Sequence, residues 1–291
     1  MNQNLVAMAI NNMMVSHIKL NSAQGKDYSD EWTVDVPAGV ILHGFTIDTN
    51  LVERSAIERV SLDINGDEFC YQTGDFLNTY TKLLDKEETA GIFEFDLSKF
   101  HYRLPAGIYQ TMVVTETVDT VTLKIKVGAK HANDPANLKM RVTALASDNT
   151  YNLKRIAKPI KTEVTPYCGA ADEKFEWMFP NGKASKKVQM VAFDESNVNI
   201  GYIEVKRGEK TITEFSRKEL DHHLKSRSKI KPQVGTCVID FTALGFGSKG
   251  IATDGLKFLL RTDDAGTIKT RIEGYEQLIF PRQQAPAQTV Q

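Results

Sequence analysis

From Glu31 onward the chain is a succession of short stretches in which apolar and polar residues alternate. Val121-Thr-Leu-Lys-Ile-Lys-Val127 is the clearest of them, and Gly39 to Ile47, Val60 to Ile64, Ile92 to Leu97 and Met140 to Leu145 are of similar kind. A period of two places every second side chain on the same face, as a strand half-buried against a core requires. Asn65-Gly66 follows one such stretch and predicts a tight hairpin, because primed turns need positive φ. Helical spacing is confined to two places. Phe76, Leu77, Tyr80, Leu83 and Leu84 share a face after Thr73-Gly74-Asp75, and Ser216-Arg-Lys-Glu219 forms a capping box ahead of Leu220 and Leu224.

The pattern occurs twice. Glu31-Trp32 returns 145 positions later as Glu176-Trp177, the only two tryptophans. Val60-Ser-Leu-Asp-Ile-Asn-Gly66 is answered by Tyr202-Ile-Glu-Val-Lys-Arg-Gly208, and Gly91-Ile-Phe-Glu-Phe-Asp96 by Gly235-Thr-Cys-Val-Ile-Asp240. Lys139-Met-Arg141-Val142 matches Lys269-Thr-Arg271-Ile272 at a shorter offset of 130. Conserved order at nearly constant spacing predicts two homologous domains in tandem. Each holds roughly 120 residues of short strands with one helix, which suits an all-β, jelly-roll sandwich. The expected organisation is an N-terminal arm over 1–25, a first jelly roll over 26–150, a linker over 151–170, a second jelly roll over 171–280 and a flexible C-terminal tail over 281–291. The linker expectation rests on Pro159, Pro166 and the cations Lys154, Arg155, Lys158 and Lys161, read as a solvated connector.

Charge narrows the partners. The 36 Lys and Arg against 37 Asp and Glu leave a formal net charge of -1, so the chain as a whole has no footprint for wrapping nucleic acid, and no direct nucleic-acid contact is expected. Three scattered cysteines, Cys70, Cys168 and Cys237, do not form a disulfide framework. The first basic residue is Lys19, no small-residue cleavage site follows, and Asn11-Asn12 interrupts the early apolar run, so neither export nor a membrane span is expected. The tail after Phe280, with two prolines and no aromatic, reads as a loose arm.

No constellation carries a reaction. His17, His43, His101, His131, His222 and His223 have no metal-ligand spacing, and adjacent helical residues such as His222 and His223 point about 100° apart. Gly245-Phe-Gly247-Ser-Lys-Gly250 matches the dinucleotide fingerprint only in letters, because a strand rather than a helix follows it; a flexible loop is expected. The acidic groups Asp27/Asp30/Glu31, Glu87/Glu88 and Asp263/Asp264 read as solvated turns, the last as a hairpin between Leu260 and Ile268. The chain is therefore expected not to be an enzyme, with no catalytic, cofactor or metal residue to name.

The duplicated order, carried by Ile57 to Gly66, Phe76 to Leu84 and Gly91 to Phe95 with their echoes, resembles the double jelly-roll major capsid proteins of tailless, internal-membrane-containing bacteriophages, and within that lineage the corticovirus-like branch. The resemblance covers nearly the whole chain and implies a helix after the third or fourth strand of each barrel. It implies a homotrimer whose six barrels form a pseudo-hexameric capsomer, tiling an icosahedral shell around a lipid membrane. Partners would be neighbouring capsomers and minor capsid and vertex proteins. Location would be the virion capsid, with host cytoplasm during assembly. The loops Leu104 to Tyr109 and Gly245 to Gly255 would then lie at barrel ends, where capsomer contacts are made. The Met-rich start, Met8, Met13 and Met14, has two readings: a base arm meeting lipid or a neighbouring capsomer, or a cover for an open sheet edge. The alternative class is a tandem jelly-roll glycan-binding or glycan-cleaving protein, using Tyr71, Tyr102, Tyr109 and Trp177. A specialised tail or spike protein is disfavoured by the likeness of the two halves.

Overall fold

The computed structural model describes residues 3–169 and 174–278. The first half runs α1 (Gln3–Asn11), β1 (Ser16–Lys19), β2 (Glu31–Val36), β3 (Val40–Thr49), β4 (Ile57–Ile64), β5 (Asp67–Thr73), α2 (Gly74–Leu83), β6 (Ile92–Asp96), α3 (Pro105–Ile108), β7 (Val113–Val114), β8 (Val121–Val127) and β9 (Met140–Asp148). One sheet has the order β1-β9-β3-β6, with β7 also on β3, and the other β2-β8-β4-β5. Inward residues of both form one core, with Phe45, Ile47, Val60, Leu62, Phe93, Phe95, Leu123 and Ile125 almost wholly buried.

The second half continues with β10 (Ala157–Val164), β11 (Tyr167–Cys168), β12 (Lys174–Met178), β13 (Lys186–Asp194), β14 (Ile200–Arg207), β15 (Lys210–Ser216), α4 (Arg217–Arg227), β16 (Thr236–Asp240), β17 (Ile251–Ala252), β18 (Leu256–Thr262), β19 (Gly266–Thr267) and β20 (Thr270–Gln277). Its sheets are β10-β20-β13-β16, with β17 on β13, and β12-β18-β14-β15. They enclose a second core around Val191, Phe193, Ile203, Val205, Phe241 and Phe258. Strand for strand the two orders coincide, and all pairings are antiparallel. The fold is two jelly-roll sandwiches in tandem.

Turn and cap chemistry account for the local geometry. Asn65 and Gly66 both have positive φ and close the β4–β5 hairpin. Thr73 caps α2 by accepting from the Phe76 N–H, and Ser216 forms the expected capping box with Glu219. Helix α2 follows the fifth strand of its sandwich and α4 the sixth, or the fifth when the two-residue β11 is left out of the count; neither follows the third or fourth, because β1 or β10 precedes the strands counted.

Several expectations are corrected. Residues 151–170 are not a connector: β10 lies within them and pairs with β20 along eight residues, so the second sandwich starts well before 171. Lys161 in that strand is buried, while Lys154 and Arg155 pair with Glu116 and Asp119. Asp263-Asp264 is not a hairpin turn, since β18 and β20 belong to different sheets and β19 between them pairs with β11. Of the arm at 1–25, residues Ser16 to Lys19 form the sheet edge beside β9, and α1 packs through Ala9 near Ile41, Met112 and Leu153. The tail at 281–291 lies outside the described residues.

The duplication also has a finer register than the sequence suggested. The matching bulges after Ile57 and Ile200, and the matching caps Thr73 and Ser216, set an offset of 143 in the sheets that carry the tryptophans. Trp32 therefore corresponds to Phe175, and Trp177 to Val34. In the other sheets the bulges at His43 and Gln189 correspond, which sets Arg271 against Thr143 rather than Arg141. A slip of two keeps every side chain on its face, so alternation alone does not detect it.

Candidate functional site at the seam of the two sandwiches

The site with the most unusual side-chain chemistry is the seam between the sandwiches. It begins with α2, whose apolar residues divide between two partners. Leu77 turns into the first core, while Phe76, Tyr80 and Leu83 pack with Met190, Ala192 and Val238 on the outer face of the second sandwich, joined by Leu224 and Ile230. The Lys231 N–H donates to the Leu83 carbonyl and the Gln233 amide to that of Lys82, satisfying carbonyls at the helix end.

Around this apolar patch lie charges that are rarely buried unless paired. Arg271, 2% exposed, directs its guanidinium at three carboxylates: Asp75 of α2 at 2.7 Å, Asp194 at 3.0 Å and Glu163 at 3.3 Å. Lys269 adds a second contact to Asp75 at 2.8 Å. Burial alone would raise the Asp75 carboxyl, but Lys269 and Arg271 outweigh it and hold the group below its ordinary range. Deeper in the seam Glu273 lies 3.1 Å from Lys99 of the first sandwich and 3.3 Å from Lys161. Burial opposes its charge, yet the two ammonium groups bring its pKa down to about 2. Burial lowers Lys99, with Glu273 acting against it. The Lys161 ammonium sits 4.5 Å from the Tyr80 ring centre, a cation–π contact across the seam. His101 is held to about 4, first by burial and then by Lys99, and so is neutral. Gln110 donates to the Tyr275 hydroxyl at 2.6 Å and completes the polar layer.

Beside the seam, edge strands β5 and β10 border a cleft of about 380 Å³ whose walls include Phe69, Tyr71, Lys158 and Glu163. The first sandwich has its own buried polar bridge. The His43 ring lies 2.8 Å from the Ser98 hydroxyl on one side and 2.8 Å from that of Ser147 on the other, and burial brings its pKa down to about 4.

These groups hold surfaces together rather than converge on an open reaction site. Cys70 and Cys237 are buried thiols pushed up to about 12 by burial. Among the described residues no group of three or more His, Cys, Asp and Glu side chains has metal-binding geometry. His222 is exposed on α4, and His223 is half-buried with its ring centre 5.6 Å from that of Phe215. Residues 245–250 form consecutive turns before β17, without a following helix. Trp177 is packed against Phe193 and Phe258 in the core, and Tyr71 lies under the Arg59 guanidinium. Tyr109 packs on the ring of His43, and Tyr102 on that of His101. Asp27 and Asp30 accept backbone N–H groups. Lys99, Arg271 and Glu273 were not singled out from sequence as seam residues. The available signal was the pair Arg271-Ile-Glu273, two charges flanking an apolar residue in a strand otherwise suited to burial.

Comparison with known proteins agrees with this architecture. Residues 17–149 match the family described as viral coat protein P2 N-terminal domain, and residues 156–278 the viral coat protein P2 C-terminal domain. The chain belongs to the viral coat protein P2 family. Its fold is that of the major capsid protein P2 from bacteriophage PM2, with a TM-score of 0.78 at 14% identity over 92% of this chain and 99% of that one. The STIV major capsid protein is similar at 0.64, with 11% identity over 91% of this chain and 97% of that one. The PBCV-1 virus capsid protein gives 0.62, with 9% identity over 91% and 93%. No curated protein sequence matches. The chain is a viral major capsid protein with the double jelly-roll fold, and nothing in these comparisons supports the glycan reading.

Proposed function

We propose that this coat protein works as a homotrimer, in which six sandwiches form a near-hexagonal prism that tiles an icosahedral shell around a lipid membrane. The observation that carries this reading is the strand-for-strand duplication, with α2 of one sandwich docked on the outer sheet of its twin. A heterologous contact of this kind repeats from unit to unit and closes into a ring when the rotation permits. Neighbouring capsomers and minor and vertex proteins are the further partners, and assembly takes place in the host cytoplasm. The role is structural, without a catalysed reaction.

The N-terminal segment fits the base of such a prism. Helix α1 lies at the sandwich end where β3 begins and β9 finishes, with Met8 and Met14 exposed. Flexible thioethers suit an irregular lipid or protein surface. The test is expression of the full chain and of a variant lacking residues 2–15, followed by sedimentation and electron microscopy. Trimers from both, with closed shells or membrane association reduced only in the truncated chain, are expected. A full-length chain that stays monomeric under assembly conditions overturns the trimer; intact assembly by the truncated chain overturns the role of the arm.

A further inference from the structure

The two sandwiches carry twin outer faces, of which one is covered and the other, among the described residues, is bare. On the second sandwich Ala192, Val238, Lys161, Arg271 and Glu273 are buried beneath the first sandwich and α2. Their counterparts by strand pairing are Thr46, Glu94, His17, Thr143 and Leu145. Each of these is exposed or half-exposed, as are Asp48, Arg141 and Lys19 around them.

The element that would cover this face is duplicated too. Counting from the caps Thr73 and Ser216, Leu77 corresponds to Leu220, and each enters its own core. On the outward side Asp75, Phe76, Tyr80 and Leu83 correspond to Lys218, Glu219, His223 and Ser226. The first set is docked, apart from the half-open Asp75; in the second His223 is half-buried and the other three are exposed.

We propose that α4 of one copy docks on the bare sheet of the first sandwich of the next copy, as α2 docks on the second sandwich within a chain. The occupant is a second copy of this chain, and the inference rests on the trimer reading above. The existing seam supplies the register. Asp75 meets Arg271 beside Asp194, and these three correspond to Lys218, Thr143 and Asp48, so Lys218 is set against Asp48 of the neighbour. The contact differs in chemistry from its template. Where the seam within a chain uses Phe76, Tyr80 and Leu83, this one uses Glu219, His223 and Ser226. Lys225 and Arg227 lie alongside on α4, and Glu94, Lys19 and Arg141 on the receiving face. A contact between exposed charges is screened by salt far more than a buried apolar one. Copies therefore associate reversibly and salt-dependently, while the seam inside each copy persists.

The test is sedimentation of the full chain, of Lys218→Glu, of Asp48→Lys and of the double variant, at low and high salt, with circular dichroism confirming the fold. Each single change is expected to weaken association about tenfold, or roughly 1.4 kcal/mol. The double variant, which restores an opposite-charge pair, is expected to recover most of the loss. Wild-type trimers that ignore salt and both single changes overturn this contact while leaving the trimer standing. A wild-type chain that never associates removes the trimer itself.

Discussion

Lys99 and Glu273 meet at 3.1 Å from opposite sandwiches, and the second cation on that carboxylate, Lys161, comes from a strand of the second. Removing the anion alone strands two ammonium groups in a buried seam. Glu273→Gln is expected to lower stability by about 3 to 5 kcal/mol, whereas the triple change Lys99→Met, Lys161→Met, Glu273→Leu loses far less. Urea unfolding of the two variants checks this; equal losses would refute it.

The same carboxylate sets an acid limit. Its pKa is about 2 when folded against an ordinary 4.5, so its contribution is complete above about pH 4.5 and disappears as pH falls toward 2. Burial also lowers Lys99, which returns part of that gain. In Glu273→Leu the stability curve is expected to lose slope in that interval.

His43 acts at milder pH. Held at about 4 against 6.5 in an unfolded chain, it favours folding above pH 6.5 and loses that contribution as pH falls through 4, because the unfolded chain takes up the proton first. His43→Gln, which installs the residue of the twin bulge at Gln189, is expected to flatten the decline over this range. His101 leaves a residual slope of the same sign. Midpoints measured near neutrality and near pH 4 give the comparison.

Phe76 tests whether the seam makes the two sandwiches unfold together. Phe76→Ala is expected to cost about 3 to 5 kcal/mol through the cavity it leaves. Calorimetry should then resolve two transitions where the parent shows one, and a single transition of unchanged enthalpy would show that coupling resides elsewhere.

The Ser216 cap is a smaller, local case. Ser216→Ala removes the oxygen that accepts from the Glu219 N–H, at an expected cost of about 1 kcal/mol. Hydrogen exchange in the first turn of α4 should rise without change in the core strands.

Much of the fold is legible in the chain because alternation, turn residues and caps act locally. Val121 to Val127, Asn65-Gly66 and Ser216 to Glu219 each sit in the predicted kind of element. Register was not legible, since the pairing of Trp32 with Phe175 and that of Trp32 with Trp177 satisfy the same inward pattern. The seam was hidden for a different reason. Lys161 and Glu273 look like solvent-facing residues of a half-buried strand, and only the docking of another domain turns that face into an interior. Lys161 therefore reads as one of the connector cations, and β10, which carries it, as part of a linker.

The covalent join between β9 and β10 has a kinetic consequence. Because both partners of the seam share one polypeptide, they meet at an effective concentration in the millimolar range whatever the amount of protein present. Internal docking is thus first-order, whereas encounters between separate chains depend on how much has been synthesised. In the trimer proposed above, the joint inside each chain is therefore independent of dilution, and supply of subunits controls only the joints between chains.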